Sequence, residues 1–226
     1  MEFANHGKLL EVLRDLRPTR NYYNDPVSPL PMQKLLKYLY QVSAGMEFVA
    51  NQAIVHRDLA ARNVLVTSDW TCKVADFGLA RCVSDSGLDA AYEQKSRGAL
   101  PIRWMAPESL TMARFSTKSD VWSLGILAWE LVTLGSTPYP GMSAGEVLSA
   151  VKLGYHMERP SHCPPSIFEL MKSTWRENPR ERPTFSDLKN TISDHLKKSN
   201  DDYIDLTLFV ENAYYNVMTQ SPGEKV

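Results

Sequence analysis

The chain has 226 residues, 43% of them hydrophobic and 23% charged, and its 25 Lys and Arg nearly balance 26 Asp and Glu for a formal net charge of −1. That balance provides no field to draw in nucleic acid or an anionic membrane, and the apolar content excludes disorder for the bulk of the chain. A chain of this length buries about 70% of its unfolded surface, enough for one or two domains. Three cysteines, Cys72, Cys82 and Cys163, are an odd count without C-x-x-C spacing, which fits reduced thiols rather than disulfides or a zinc site.

The first seven residues have no basic stretch followed by an apolar core, so no secretory signal is predicted. Residues 17–31 hold Pro18, Pro26, Pro29 and Pro31 among Asn and Asp, the composition of an inserted loop. Met32, Leu35, Leu36, Leu39, Val42, Met46 and Val49 then recur at steps of three and four, which predicts a core helix. Two short strands, 64–66 and 72–75, flank a turn at 67–71 and read as a hairpin. Ser116 precedes an apolar run ending at Gly135. Within it, residues 121–134 fall short of the roughly 18 apolar residues of a membrane span and contain Glu130, so a buried helix is expected. Ser143 with Glu146, Ser166 with Glu169 and Thr184 with Asp187 each place an acid three residues after a capping side chain, giving three further helix starts. From 199 the chain is polar and acidic without helical period, a mostly flexible tail. The expected fold class is mainly α with a small β hairpin.

The chemistry-bearing residues cluster at the ends of that hairpin. His56-Arg57-Asp58 and Asn63 stand just before it, and Asp76-Phe77-Gly78 just after, so Asp58, Asn63 and Asp76 can converge at one ribbon edge. Each taken singly reads as a turn residue. Together they meet the needs of phosphoryl transfer: hard oxygen ligands for Mg²⁺, from Asn63 and Asp76, and a carboxylate, Asp58, to orient and accept the proton of an attacking hydroxyl. With Ala106-Pro107-Glu108 downstream, the set resembles the protein kinase signature of HRD loop, DFG turn and APE motif, in that order.

The subclass resembled is the tyrosine kinase. Ala60 stands where serine/threonine kinases usually carry lysine, and Arg62 follows Asp58 by four. Residues 100–105 (Leu-Pro-Ile-Arg-Trp-Met), 119–125 and 180–185 also match tyrosine kinases, and similarity to receptor types, particularly those for fibroblast and vascular growth factors, runs from Glu2 to about Lys197. The resemblance implies a helical carboxy-terminal kinase lobe at 1–198 with an insert at 17–31, followed by a tyrosine-containing tail at 199–226. It implies Mg-ATP as cosubstrate and protein tyrosines as acceptors. Catalytic residues would be Asp58, Arg62 and Asn63; metal ligands Asn63 and Asp76; adenine contacts the hinge backbone at Glu2 and Ala4 with Leu65 below the ring. Structural roles fall to His56, Arg57, Phe77 and Gly78, to Asp120 holding the catalytic-loop backbone, and to a buried Glu108–Arg182 pair, whose disruption would cost about 3–5 kcal/mol.

Tyr92 is the single tyrosine between Asp76 and Glu108, in a segment with Arg81, Arg97 and Arg103 and with Arg57 nearby, so a phosphate there would find arginine donors and order the segment. In the tail, Tyr214 and Tyr215 within Tyr-Tyr-Asn-Val-Met resemble docking motifs for Src-homology-2 domains, including that of a phosphatidylinositol 3-kinase regulatory subunit. A complete kinase domain also needs a glycine-rich loop, a strand lysine and a helix glutamate. No G-x-G-x-x-G occurs, and Met1 falls at the gatekeeper position before the hinge. The amino-terminal lobe is therefore expected to be absent, the chain a fragment and inactive alone, and any membrane tether outside it, placing it at the cytoplasmic face of the plasma membrane if part of a receptor. The alternative is a non-catalytic interaction module offering phosphotyrosine docking sites.

Overall fold

A computed structural model describes residues 4–17, 30–82, 92–93, 100–198 and 203–204 of the chain, with side chains described for all of these except 30, 31, 92, 93, 203 and 204. Glu2, Arg97, Tyr214 and Tyr215 lie outside the described residues.

The apolar period of residues 32–49 becomes α2 (Met32–Asn51), and α1 (Leu9–Asp15) precedes it. α2 buries Leu35, Leu36, Leu39, Val42 and Met46 against α4 (Thr117–Val132) and α7 (Phe185–Lys198). α4 is buried nearly all round, so it has no solvent face to make it amphipathic. α6 (Pro165–Thr174) packs on α4, while α3 (Pro107–Met112) and α5 (Ala144–Lys152) pack against each other. One apolar cluster runs from Leu9 to Ile192; a smaller one joins Val55, Met105 and Phe115.

Caps explain where the helices start. Ser143 Oγ accepts the Glu146 amide while Glu146 Oε2 accepts the Ser143 amide at 2.7 Å, and Thr184 and Asp187 exchange the same pair of bonds at α7. Ser116 and Ser119 form the corresponding box at α4. Ser166 departs from expectation: α6 begins at Pro165, whose fixed φ and missing N–H suit the first helical position, and Ser166 lies inside the first turn rather than at the cap. The turn just after α4 is held by two arginines, Arg14 of α1, whose Nε donates to Gly135 O at 3.1 Å, and Arg17 two residues beyond α1, whose Nε donates to Leu134 O at 2.7 Å. The short α1 and α3 were not anticipated, because neither repeats its apolar pattern long enough to show a period.

The hairpin is β3 (Val64–Val66) against β4 (Cys72–Val74), in the register Val64↔Val74. Residues 6–8 add a third edge: His6 N donates to Val66 O, Val66 N to Gly7 O at 2.9 Å, and Lys8 bridges Leu65. Two-residue strands, too short to leave a sequence signal, make the other pairings. β1 (Leu30–Pro31) pairs with β8 (Tyr203–Ile204), β2 (Ile54–Val55) with β5 (Arg81–Cys82), and β6 (Tyr92–Glu93) with β7 (Arg114–Phe115), all antiparallel. Thus a segment beyond α7 returns to the start of α2. Among the described residues no helix is long and apolar enough to cross a membrane.

Candidate active site

The hairpin and α4 together build the site. Asn63 ends a 3₁₀ turn (Ala61–Asn63) that leads directly into β3, and its carbonyl accepts the Ala75 amide at 2.8 Å, which puts Asp76 one residue beyond the paired position. Asn63 Nδ2 donates to Asp58 O at 2.7 Å, so the side-chain oxygen of Asn63 is the atom that could serve as a hard ligand. Asp76 sits in the left-handed region at φ 57° and is exposed, its Oδ1 accepting a long bond from Gly78 N at 3.4 Å. An amide oxygen and an exposed carboxylate at one ribbon edge suit Mg²⁺, a cation that keeps several waters and takes one or two protein oxygens. Among the described residues no group of three or more His, Cys, Asp and Glu forms a closed metal cage.

Asp58 is buried and takes a 2.6 Å charge-assisted bond from Arg62 Nη2 on its Oδ1. The Arg62 guanidinium lies 4.1 Å over the ring of Trp104. Its neighbour Arg57 lies 4.1 Å over Phe115 and donates to Leu79 O, tying the catalytic loop to the segment after Asp76. His56 completes that tie. Its Nδ1 accepts the Asp58 amide at 3.3 Å, so the proton sits on Nε2, which faces Ala75 O at 3.0 Å. The exposed Phe77 ring packs 4.8 Å from that imidazole.

Below the loop, α4 supplies two buried acids. Asp120 accepts the His56 amide on Oδ2 at 2.7 Å and the Arg57 amide on Oδ1 at 2.9 Å. Burial pushes its pKa up to about 7, opposed by those two amides and the Arg57 charge. Glu130, nearly three turns further along α4, accepts both the Ala61 amide at 3.0 Å and the Trp104 indole N–H at 2.9 Å on the same Oε2, and burial likewise pushes it to about 7. Ser123 Oγ donates to Trp104 O at 2.7 Å, so α4 holds both ends of that residue. Sequence reading used Glu130 only to argue against a membrane span. The signal for its role was present: one carboxylate inside an apolar run demands a buried partner.

The segment 100–105 is fixed from the other side too, where Arg103 donates to the carbonyls of Pro138, Tyr139 and Met142. Arg182 donates to both oxygens of Glu108 at 2.7 and 2.9 Å, and also to the carbonyls of Lys118 and Arg176, with its side chain wholly buried. Leu65 is half-buried on β3, and Ala4, also half-buried, accepts the Gly7 amide at 3.1 Å in the turn leading to residues 6–8. Tyr92 pairs by its backbone with Phe115, the residue whose ring carries Arg57.

A buried aspartate is thus held by the arginine four residues on, with an amide and an exposed carboxylate at the two ends of one hairpin and residues 100–105 fixed from two sides. The chain belongs to the protein tyrosine and serine/threonine kinase family, whose family model matches residues 1–192. It is 48% identical over 228 residues to the tyrosine kinase receptor Cad96Ca of Drosophila melanogaster, covering 100% of this chain and 29% of that protein. It is 41% identical over 222 residues to the angiopoietin-1 receptor of Danio rerio, covering 96% of this chain and 19% of that protein. The chain thus spans less than a third of the length of these relatives.

Proposed function

We propose that this chain is the catalytic-loop and acceptor-binding portion of a receptor-type protein tyrosine kinase that moves the γ-phosphate of ATP to protein tyrosine hydroxyls. The observation that carries it is the Asp58–Arg62–Trp104 unit. Arg62 clamps Asp58 from four residues away and stacks on the floor residue Trp104, while Ala60 leaves the usual serine/threonine-kinase lysine position without a cation. Asp58 accepts the hydrogen bond of the acceptor hydroxyl and then its proton, its second oxygen being the one not committed to Arg62 in this pair. Asn63 and Asp76 hold Mg²⁺, which when bound neutralises charge on the phosphate oxygens. Ala4 and Leu65 receive adenine, with Glu2 before them. Asp120 and Glu130 keep the loop backbone in place through the reaction, so it needs no reorganisation.

The Tyr92 backbone pairs with that of Phe115, the residue on whose ring Arg57 lies, and a phosphate on a tyrosine in this arginine-bearing segment would find donors, which supports Tyr92 as the activating site. Phosphorylated Tyr214 and Tyr215 would offer docking sites to Src-homology-2 partners, and the relatives' receptor character supports placement on the cytoplasmic side of a plasma membrane.

The test joins the amino-terminal lobe of the Drosophila relative to this chain at Ala4 and supplies Mg-ATP with matched tyrosine and serine peptides. Tyrosine, not serine, is expected to be phosphorylated; Asp58→Asn should reduce the rate by at least about a thousandfold, and residues 1–226 alone should show negligible turnover. A folded chimera that modifies serine, or whose tyrosine activity survives Asp58→Asn, refutes the proposal.

A further inference from the structure

Four of the five tryptophans are buried at 1–4% exposure, whereas Trp70 is 43% exposed at the tip of the β3–β4 hairpin. Its backbone sits at φ 63°, a region glycine favours and a bulky aromatic rarely adopts. The turn is built to hold it there. Trp70 N donates to Thr67 O at 3.0 Å, Thr67 N to Thr71 O at 3.0 Å, and the hydroxyls of Thr67 and Thr71 both bond to the Asp69 carboxylate. The indole so placed has partners on its ring despite its exposure. His6 stacks on it at 4.0 Å between centroids and 17° between planes, and Lys34 Nζ from α2 stands 4.6 Å from the ring centroid.

His6 lies on the edge segment joined to β3 by the His6–Val66 and Val66–Gly7 backbone bonds, and that segment follows Ala4 directly. Two backbone bonds and one bridge at a sheet edge open readily by themselves. The stacked indole adds a side-chain contact from the far end of the same hairpin and links both to α2. The contacts with His6 and Lys34 account for the ring's position within this chain's own residues.

We propose that Trp70 is a positioning residue that clamps residues 4–8 to the hairpin and thereby fixes the strand edge to which adenine is presented. The adenine role rests on the function proposed above; the clamp itself is measured without nucleotide, so the two can fail separately. A strained backbone is retained at residue 70 because the left-handed conformation aims the indole at His6, which a relaxed turn residue would not do.

The experiment is residue-resolved amide hydrogen exchange on the 226-residue chain, with urea unfolding in parallel. Trp70→Gly relieves the left-handed strain, so the global unfolding midpoint should not fall, while the His6 and Val66 amides should exchange about tenfold faster or more. Trp70→Phe restores a stacking ring and should recover most of the protection. His6→Ala leaves the turn untouched and should reproduce the local acceleration, with the His56 and Arg57 amides on Asp120 unchanged. Unaltered exchange at His6 and Val66 in Trp70→Gly, or unaltered Val66 exchange in His6→Ala, overturns the clamp. So does a Phe variant that behaves like the Gly variant.

Discussion

At the scale of single residues the decisive groups are buried acids beneath the catalytic loop. Glu130 has an ordinary value of 4.5 and a folded value of about 7, because burial outweighs its two hydrogen bonds and the nearby arginine charges. The folded chain therefore keeps this proton to higher pH than the unfolded chain, so stability from this group falls as pH rises from 4.5 to 7 and is level above. Gln can offer one oxygen to both the Ala61 amide and the Trp104 indole, as Oε2 does now, without carrying charge. Glu130→Gln should match the parent near pH 5 and be more stable near pH 8 by up to about 3 kcal/mol, read by urea unfolding at the two pH values. A variant less stable at pH 8 than at pH 5, relative to the parent, would show that the Arg62 charge dominates the carboxylate. The candidate set of Asp58, Asn63 and Asp76 was legible in sequence because the chemistry proposed for it fixes residue type and spacing. Glu130 was not, since its partners are a backbone amide and an indole that lie 69 and 26 residues away.

At the scale of elements, α4 is the post to which the others are fastened, and its tightest contact is a glycine. A methyl group at Gly125 would meet Thr174 Oγ1 at 1.9 Å and Trp175 Nε1 at 2.6 Å, both at the end of α6. Helix propensity alone favours Ala over Gly by about 1 kcal/mol, but overpacking a buried helix contact costs about 1–3 kcal/mol. Thr174 and Trp175 are both buried, so neither side chain has open space to yield into, and the steric cost wins. Gly125→Ala should lower the thermal midpoint by several degrees, and an unchanged or raised midpoint would mean that α6 is free to slide. Elements with long periods or a reciprocal cap, such as α2, α5 and α7, could be read directly from the sequence. The two-residue strands could not, because β2 with β5 and β6 with β7 are pairings between distant segments and carry no periodicity of their own. Ser166 shows the same limit in reverse, since a cap pattern was present but the preceding prolines had already begun the helix.

At the scale of the whole molecule, the apolar core joins the hairpin to the far helices without a break, and the cysteines report on that continuity. Cys72 on β4 and Cys163 ahead of α6 are both buried in the same cluster, and burial pushes both thiols up to about 12; Cys82 on β5 is exposed. A thiol reacts as its thiolate, so the buried pair is protected twice, by access and by protonation. A thiol-specific reagent at pH 8 should therefore modify one of the three cysteines rapidly in the native chain and all three after unfolding. The urea dependence carries the stronger information. If the hairpin and the helices unfold as one unit, Cys72 and Cys163 become reactive at the same urea concentration, because neither can be reached without opening the shared core. Earlier exposure of Cys72 would mean that the hairpin, with Asn63 and Asp76 at its ends, opens ahead of the helices. The chain would then hold Asp58, the proposed base, whose loop is anchored on α4 through the His56 and Arg57 amides, more firmly than the edge proposed to carry Mg²⁺.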